Sequence, residues 1–161
     1  AARRALGELR EQIDAAADAV REVAHGLSPR ILSEQGLGPA LEELTAGLPV
    51  ETDVSWEGRT GSGAPSPSDE ASEDLYLIAS EAITNAMKHS GCSRIEVDVA
   101  RQDDVVQLTV RDDGAGGAAP TGRGILSMAA RARRLGGTFE LVSPDGGPTT
   151  VMVRIPSGGP R

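Results

Sequence analysis

The hydrophobic positions of this chain change period several times. Leu6, Leu9, Ile13, Ala16, Ala17, Val20 and Val23 form a stripe among Arg, Glu and Asp over residues 3–25. That spacing predicts an amphipathic helix, ended by Gly26 and Pro29. Its narrow apolar seam suits either a second helix or the surface of its own domain. Residues 36–47, GLGPALEELTAG, read as a short helix with Pro39 in the first turn. Period two then takes over. Val50, Thr52, Val54 and Trp56 alternate with Glu51, Asp53 and Ser55, which predicts a half-buried strand over 50–57. GRTGSGAPSPS, residues 58–68, is a flexible connection. Ser68 is placed to cap a helix whose first turn holds Asp69 and Glu70, and Gly91 stops that helix after residue 90.

Beyond Gly91 the alternation returns over 94–101 and 105–111, joined by a short polar turn, as in a β-hairpin. Residues 111–124, RDDGAGGAAPTGRG, form a glycine-rich loop. A helix follows over 125–135 and ends at Gly136–Gly137. A second hairpin spans 138–143 and 149–155 around PDGGP. Consecutive hairpins imply a largely antiparallel or mixed sheet. With helices on one face, this predicts a two-layer α/β sandwich preceded by a long helix.

Composition narrows the picture. The chain has 161 residues, 39% hydrophobic but only 2% aromatic, so the core must be aliphatic. A formal net charge of −8 argues against general nucleic-acid binding, which needs a basic face. It leaves room for a phosphate ligand held by a few local donors. The single cysteine, Cys92, can form no internal disulfide and reads as a small buried residue in a reducing, cytoplasmic setting. No apolar run approaches the ~20 residues of a membrane span, so no membrane contact is expected of these residues.

Candidate chemistry lies first on the helix over 69–90. In EAITNAMKHS, Glu81, Asn85, Lys88 and His89 fall on one face, and Leu75, Ala79, Ala82, Ile83 and Ala86 on the other. Asn is a mediocre helix former because its amide competes for backbone groups. Taken singly, each polar residue also fits a solvated face, and His89 fits a partner for the helix dipole. The glycine-rich loop is the second candidate. A P-loop is excluded, because no Gly-Lys-Ser/Thr follows. Gly114, Gly116 and Ala119 satisfy G-x-G-x-x-A, but Pro120 stands where a dinucleotide fingerprint needs a helix. Asp-Asp-Gly alone would be a plain turn.

Taken together, these segments resemble the ATP-binding domain of the GHKL superfamily, and most closely that of sensor histidine kinases of the nitrate-sensor and desaturase-regulator type. EAITNAMKHS resembles their N box, RDDGAG their D-x-G-x-G box, GRGILSMAARARRLGG their following glycine box and helix, and TTVMVRIP their last strand. The segment VREVAHGLSPRILSEQGLGPALEEL resembles the end of a dimerisation helix and the entry to the ATP-binding domain. The resemblance implies ATP and Mg²⁺ as ligands, with Asn85 on the metal and Glu81 orienting or deprotonating a nucleophile. It places Lys88 and His89 at the phosphate end. Asp112 would accept from the adenine amino group, supported by Thr149, with Gly114 and Gly116 allowing close approach of the base. Gly122, Arg123, Gly124 and Ile125 would form a lid hinge and phosphate-facing turn, in which Arg123 is equally well read as solvated. Met128 reads as core.

The resemblance also sets the expected organisation: residues 1–30 as part of a dimerisation helix, 31–156 as the catalytic domain, and 157–161 as a disordered tail. A full-length homodimer would pass phosphate to a response regulator. Of the two histidines, His25 precedes Gly26 and His89 precedes Ser90, so neither has the acidic neighbour of the usual phosphoacceptor. The acceptor is therefore expected outside this fragment. Pro148 and Ser127 depart from the family's more usual glycines. A non-catalytic nucleotide-binding module and an anti-sigma-factor-type serine kinase stand as the alternatives.

Overall fold

In a computed structural model of the chain, residues 30–56 and 69–157 are described. The chain divides into two compact units, Ala1–Arg30 and Ile31–Arg161, and the second holds the sheet and the helices packed on it. The helix read over 3–25, the connection over 58–68 with the Ser68 cap, and residues 158–161 of the tail lie outside the described residues.

Alternation dictates the sheet. In β2 (Arg94–Gln102) and β3 (Val105–Asp112), Ile95, Val97, Val106, Leu108 and Val110 face inward and are buried. β4 (Thr138–Val142) and β5 (Thr149–Pro156) form the second hairpin, whose Val151, Val153 and Ile155 complete the buried face. β1 (Glu51–Trp56) pairs in parallel with β2, and every other pairing is antiparallel, in the order β1-β2-β3-β5-β4. A parallel pair cannot be closed by a hairpin and needs a long crossover. Here the crossover contains α3 (Asp69–Asn85).

The helices cover the inward face. α1 (Arg30–Gln35) and α2 (Leu37–Thr45) precede β1, and α4 (Arg123–Arg134) lies between β3 and β4. This is the two-layer α/β sandwich with a mixed sheet. Its core is aliphatic: Leu75, Ile78, Ala79, Ala82 and Ile83 of α3 and Met128 and Ala132 of α4 meet the strand residues. Alanine on the helix faces lets them approach the sheet closely. Trp56, Tyr76 and Phe139 are only partly buried at the margins. The Trp56 indole lies against Gly38, where any Cβ would strike the ring, and its Nε1–H donates to Glu42 Oε1 at 3.2 Å. Cys92 is half-buried rather than buried.

α1 has no counterpart in the sequence pattern, α2 is shorter than the helix read over 36–47, and two helix boundaries beside the site also differ. α4 begins at Arg123, two residues before the apolar stripe starts, because Gly122 accepts the first helical bond from Leu126 N–H at 3.0 Å. The helix read over 69–90 is α-helical only to Asn85, and Ala86–Ser90 form a π-turn capped by left-handed Gly91 at φ 63°. Ser90 Oγ donates back to the Ala86 carbonyl at 2.8 Å and accepts from Cys92 N–H at 3.2 Å, which fixes this end.

α3 and α4 are joined by a charge cluster. Asp74 is 1% exposed, yet it is ionically paired. Arg131 Nη1 donates to its Oδ1 at 3.0 Å, Arg134 Nε to its Oδ2 at 3.0 Å, and Arg134 Nη2 also reaches Oδ1. The Asp74 carboxylate in turn raises the Arg134 guanidinium further above its ordinary range, through the hydrogen bond first and charge second. The arginine side chains are 31% and 59% exposed, so they can turn to water while the aspartate cannot. Replacing both arginines by methionine should therefore cost ~3–5 kcal/mol, because it strands a buried carboxylate. Asp74→Asn should cost about 1–2 kcal/mol. Urea unfolding midpoints of the two variants measure this, and the reverse order would show that the clamp does not hold the carboxylate.

Candidate functional site

The polar stripe of α3 is positioned by its opposite face. With Leu75, Ala79, Ala82, Ile83 and Ala86 buried, Glu81 and Asn85 are held half-buried on the other side. Lys88 and His89 are exposed on the π-turn and form no described hydrogen bond or ion pair. The i→i+5 geometry widens the last turn, so these two residues no longer follow the 100° spacing that aligns Glu81 with Asn85. π-turns of this kind occur often at functional sites.

Both glycine stretches are seated on this helix. Gly124 lies in the first turn of α4, where a Cβ would collide with Glu81 Oε1 and come within 3.3 Å of Asn85 Nδ2. In the loop after β3, Ala115 N–H donates to the Ser90 carbonyl at 2.9 Å, and a Cβ on Gly114 would strike the Ser90 side chain. Gly116 has φ +64°, a conformation that favours glycine, and its Cα faces the carbonyls of Pro144 and Gly147.

The two aspartates that open the loop point opposite ways. Asp112 continues the inward parity of Val106, Leu108 and Val110 and is only 6% exposed. Gly114 N–H donates to its Oδ1 at 2.9 Å, an Asx turn, and no described residue donates to Oδ2. Asp113 faces outward and anchors the loop to the start of β2. Its Oδ1 accepts from Ser93 N–H at 2.8 Å and Arg94 N–H at 2.9 Å, and its Oδ2 from Ser93 Oγ at 2.6 Å.

The β4–β5 turn backs the loop. Thr149 is the direct cross-strand partner of Asp112. Its hydroxyl is 2.9 Å from Ser143 Oγ, which also accepts from Ala118 N–H at 3.0 Å. Gly146 N–H donates to the Ala115 carbonyl at 2.8 Å. α4 opens at Gly122 with no acidic residue in its first turn and no side-chain cap, which leaves the amides of a 12-residue helix facing outward beside Glu81 and Asn85. Arg123 is exposed, and Ile125 packs partly into the core. Met128 is buried at 1% exposure, as the stripe predicts.

Asp113, Ser143 and the Asp74 clamp escape a reading of the sequence. A second aspartate in Asp-Asp-Gly looks like ordinary turn chemistry, and a serine in a hairpin turn carries no spacing signal. Only Asp74 had one: it stands seven residues before Glu81, on the same face of the helix.

A mixed-sheet sandwich with these loops over one helix is the α/β ATP-binding fold of the GHKL type. The chain belongs to the "Histidine kinase-, DNA gyrase B-, and HSP90-like ATPase" family, whose model matches residues 70–159. It is similar to the nitrate/nitrite sensor protein NarX of Escherichia coli strain K12, 35% identical over 161 residues, covering 94% of this chain and 26% of NarX. It is also similar to the sensor histidine kinase MctS of Rhizobium johnstonii, 28% identical over 158 residues, covering 94% of this chain and 34% of MctS. The chain thus spans about a quarter to a third of those relatives. Among solved structures, the ATP-binding domain of PrrB from Mycobacterium tuberculosis matches with a TM-score of 0.54 at 23% identity, covering 78% of this chain and 92% of that one. That likeness concerns the fold. Among the described residues, no helix is long and apolar enough to cross a membrane.

The Asp113 anchor has a pH signature. Its carboxyl is lowered from 3.8 to about 2, chiefly by the Ser93 hydroxyl and then by the Arg94 and Ser93 amides. A depressed folded value means that the anchor's contribution is complete above the unfolded value and is lost as pH falls through the folded one. Wild type should therefore exceed Asp113→Ala in stability at pH 5 and above, and the gap should close between 3.8 and about 2. Chemical denaturation of both proteins across that window checks it, and a gap that does not change with pH would refute the anchor.

Proposed function

We propose that residues 31–156 are the ATP-binding catalytic domain of a sensor histidine kinase, which transfers the γ-phosphate of ATP to a histidine and thence to a response regulator. In this reading residues 1–30 belong to a dimerisation helix of a full-length homodimer that works in the cytoplasm. Residues 157–161 are its tail. Neither His25 nor His89 is the acceptor, which lies elsewhere in the protein.

The observation that carries the reading is Asp112. It is a buried carboxylate at the end of the central strand, with one oxygen turned to its own loop and the other without a described donor. An adenine amino group supplies such a donor. Guanine presents a carbonyl at that position and would leave two acceptors face to face, which is strongly disfavoured when buried. Thr149 supports the carboxylate from the neighbouring strand, and Gly114 and Gly116 keep the loop backbone close to the base. Gly122 N–H donates to the Ala119 carbonyl at 3.0 Å and so sets the hinge, while the first-turn amides of Arg123, Gly124 and Ile125 face the phosphates, as helix N-termini do, and the Arg123 guanidinium adds charge there.

The Asn85 amide oxygen suits Mg²⁺. Among the described residues no three His, Cys, Asp or Glu side chains gather into a metal cluster. A cation here would take one neutral protein oxygen and complete its shell with phosphate oxygens and water, which is the usual behaviour of Mg²⁺. Bound Mg²⁺ would draw charge from the phosphate oxygens. Glu81, beside Asn85 on α3, orients the incoming histidine or accepts its proton. Lys88 supplies positive charge at the phosphate end of the helix, and His89 stands beside it.

Calorimetric titration of this chain with Mg·ATP and Mg·GTP tests the pocket. ATP should bind and GTP should not, and Asp112→Ala should weaken ATP by about 10- to 100-fold, the loss of a charged hydrogen bond. A folded chain that binds both nucleotides equally would exclude this adenine pocket. Gly124→Ala separates function from stability. Alanine is the better helix former by about 1 kcal/mol, and its methyl displaces the end of the Glu81 side chain and presses on Asn85 Nδ2 at 3.3 Å. Thermal stability should hold or rise, while autophosphorylation of the protein carrying this domain and its acceptor should fall at least tenfold. Unchanged phosphorylation would remove the Glu81–Asn85 pair beside Gly124 from the chemistry.

A further inference from the structure

Thr149 stands beside Asp112, but its hydroxyl is engaged on the other side by Ser143 at 2.9 Å. The direction of that hydrogen bond decides what Thr149 can offer to the base pocket. Ser143 Oγ already accepts from Ala118 N–H at 3.0 Å, so one of its lone pairs is taken. Its own proton remains to be placed. If Thr149 donated to Ser143, only lone pairs would be left facing the buried carboxylate, acceptor against acceptor. If Ser143 donates to Thr149, the Thr149 proton is released toward Asp112 and whatever binds there. The second arrangement is favoured beside an anionic neighbour, and each bond in such a chain polarises the next.

We infer that Ser143 is a specificity-determining residue: through Thr149 it fixes a donor toward the Asp112 side of the adenine pocket, and through Ala118 it couples that pocket to the glycine loop. This rests on the adenine-pocket reading of Asp112 and deepens it. Ser143 is well placed for both tasks. Its carbonyl accepts from Gly117 N–H at 3.3 Å while its hydroxyl holds Ala118 and Thr149, so one residue spans the turn and the loop. Without the serine hydroxyl, Thr149 can rotate, Asp112 loses its aligned neighbour, and the ability to read the exocyclic amino group declines. None of the described bonds of Ser143 runs to the residues that open α4, Gly122 to Ile125, so phosphate binding there keeps its strength.

The test compares ATP with purine riboside triphosphate, which lacks the exocyclic amino group, by calorimetry on the 161-residue chain with Mg²⁺ present. Wild type should prefer ATP. Ser143→Ala should weaken ATP by about five- to tenfold, the loss of one net hydrogen bond, and leave the analogue nearly unchanged, so the preference narrows. Ser143→Thr, which keeps a hydroxyl, should restore it. Thr149→Val combined with Ser143→Ala should lose no more preference than Thr149→Val alone, because the two residues act in series. Should the alanine variant not fold, Ser143→Cys keeps the shape and weakens both bonds, and it gives the same comparison. Equal weakening of both nucleotides, or an unchanged preference, would overturn the role of Ser143 while leaving the pocket intact. If wild type shows no preference, or Asp112→Ala costs nothing, the pocket reading itself fails.

Discussion

One buried charge sets the geometry of the whole site. Glu81 and Asn85 lie seven and eleven residues beyond Asp74 along α3, so all three share one face. α4 meets that face twice. Its Arg131 and Arg134 hold Asp74, and its Gly124 touches Glu81 and Asn85. The two helices therefore run antiparallel, with seven residues between contacts on α3 matched by seven on α4, a rise of roughly 10 Å along each. A buried ion pair contributes little net stability against an apolar substitute, because desolvation offsets most of the attraction. What it supplies here is register. Slipping α4 by one turn would strand the carboxylate and also move Gly124 off Glu81.

The sheet makes a second contribution by connectivity. The β4–β5 hairpin places β5 beside β3, so the end of β3 and the start of β5 become neighbours, and Asp112 is paired with Thr149. The loop after Asp112 is then held from three directions. Asp113 ties it to β2, Ser90 to the end of α3, and Ser143 with Gly146 to the β4–β5 turn. A glycine-rich segment would otherwise lose much conformational entropy on ordering. Here its amides are drawn into hydrogen bonds with fixed elements, so the buried carboxylate at its root has a defined surrounding.

Much of this architecture is written into local pattern. Period two along β3 already assigns Asp112 to the inward face, an unusual place for a carboxylate, and the stripe of α3 separates Glu81 and Asn85 from the core. Hairpin spacing gives the β2–β3 and β4–β5 pairs, but the β3–β5 pairing and the parallel β1–β2 pair join strands across intervening helices and do not follow from it. What local pattern could not carry was anything joined across distance. Asp74 and its arginines are 57 and 60 residues apart, and nothing in either segment identifies the other. The π-turn escaped because an α-helical wheel has the same sequence signature up to Asn85, and the widening follows from Ser90 bonding back to Ala86 and from the loop contact at Ser90. The two aspartates of Asp112-Asp113 look alike in sequence, and only their opposite strand parity separates a pocket from an anchor.

A chain of net charge −8 must still hold a polyanion if it binds a nucleotide. Distant carboxylates are screened within about 8 Å at physiological ionic strength, so the local field decides. On the proposed reading that field comes from two helix ends of opposite sign. The first turn of α4 carries no acidic residue and presents free amides with a positive dipole end. The end of α3 carries the negative dipole end, and there Lys88 stands on the π-turn to oppose it. The phosphates would therefore lie toward α4, and a cation held by Asn85 toward α3. Antiparallel packing of the two helices brings these opposite ends side by side, and the Asp74 clamp fixes that packing.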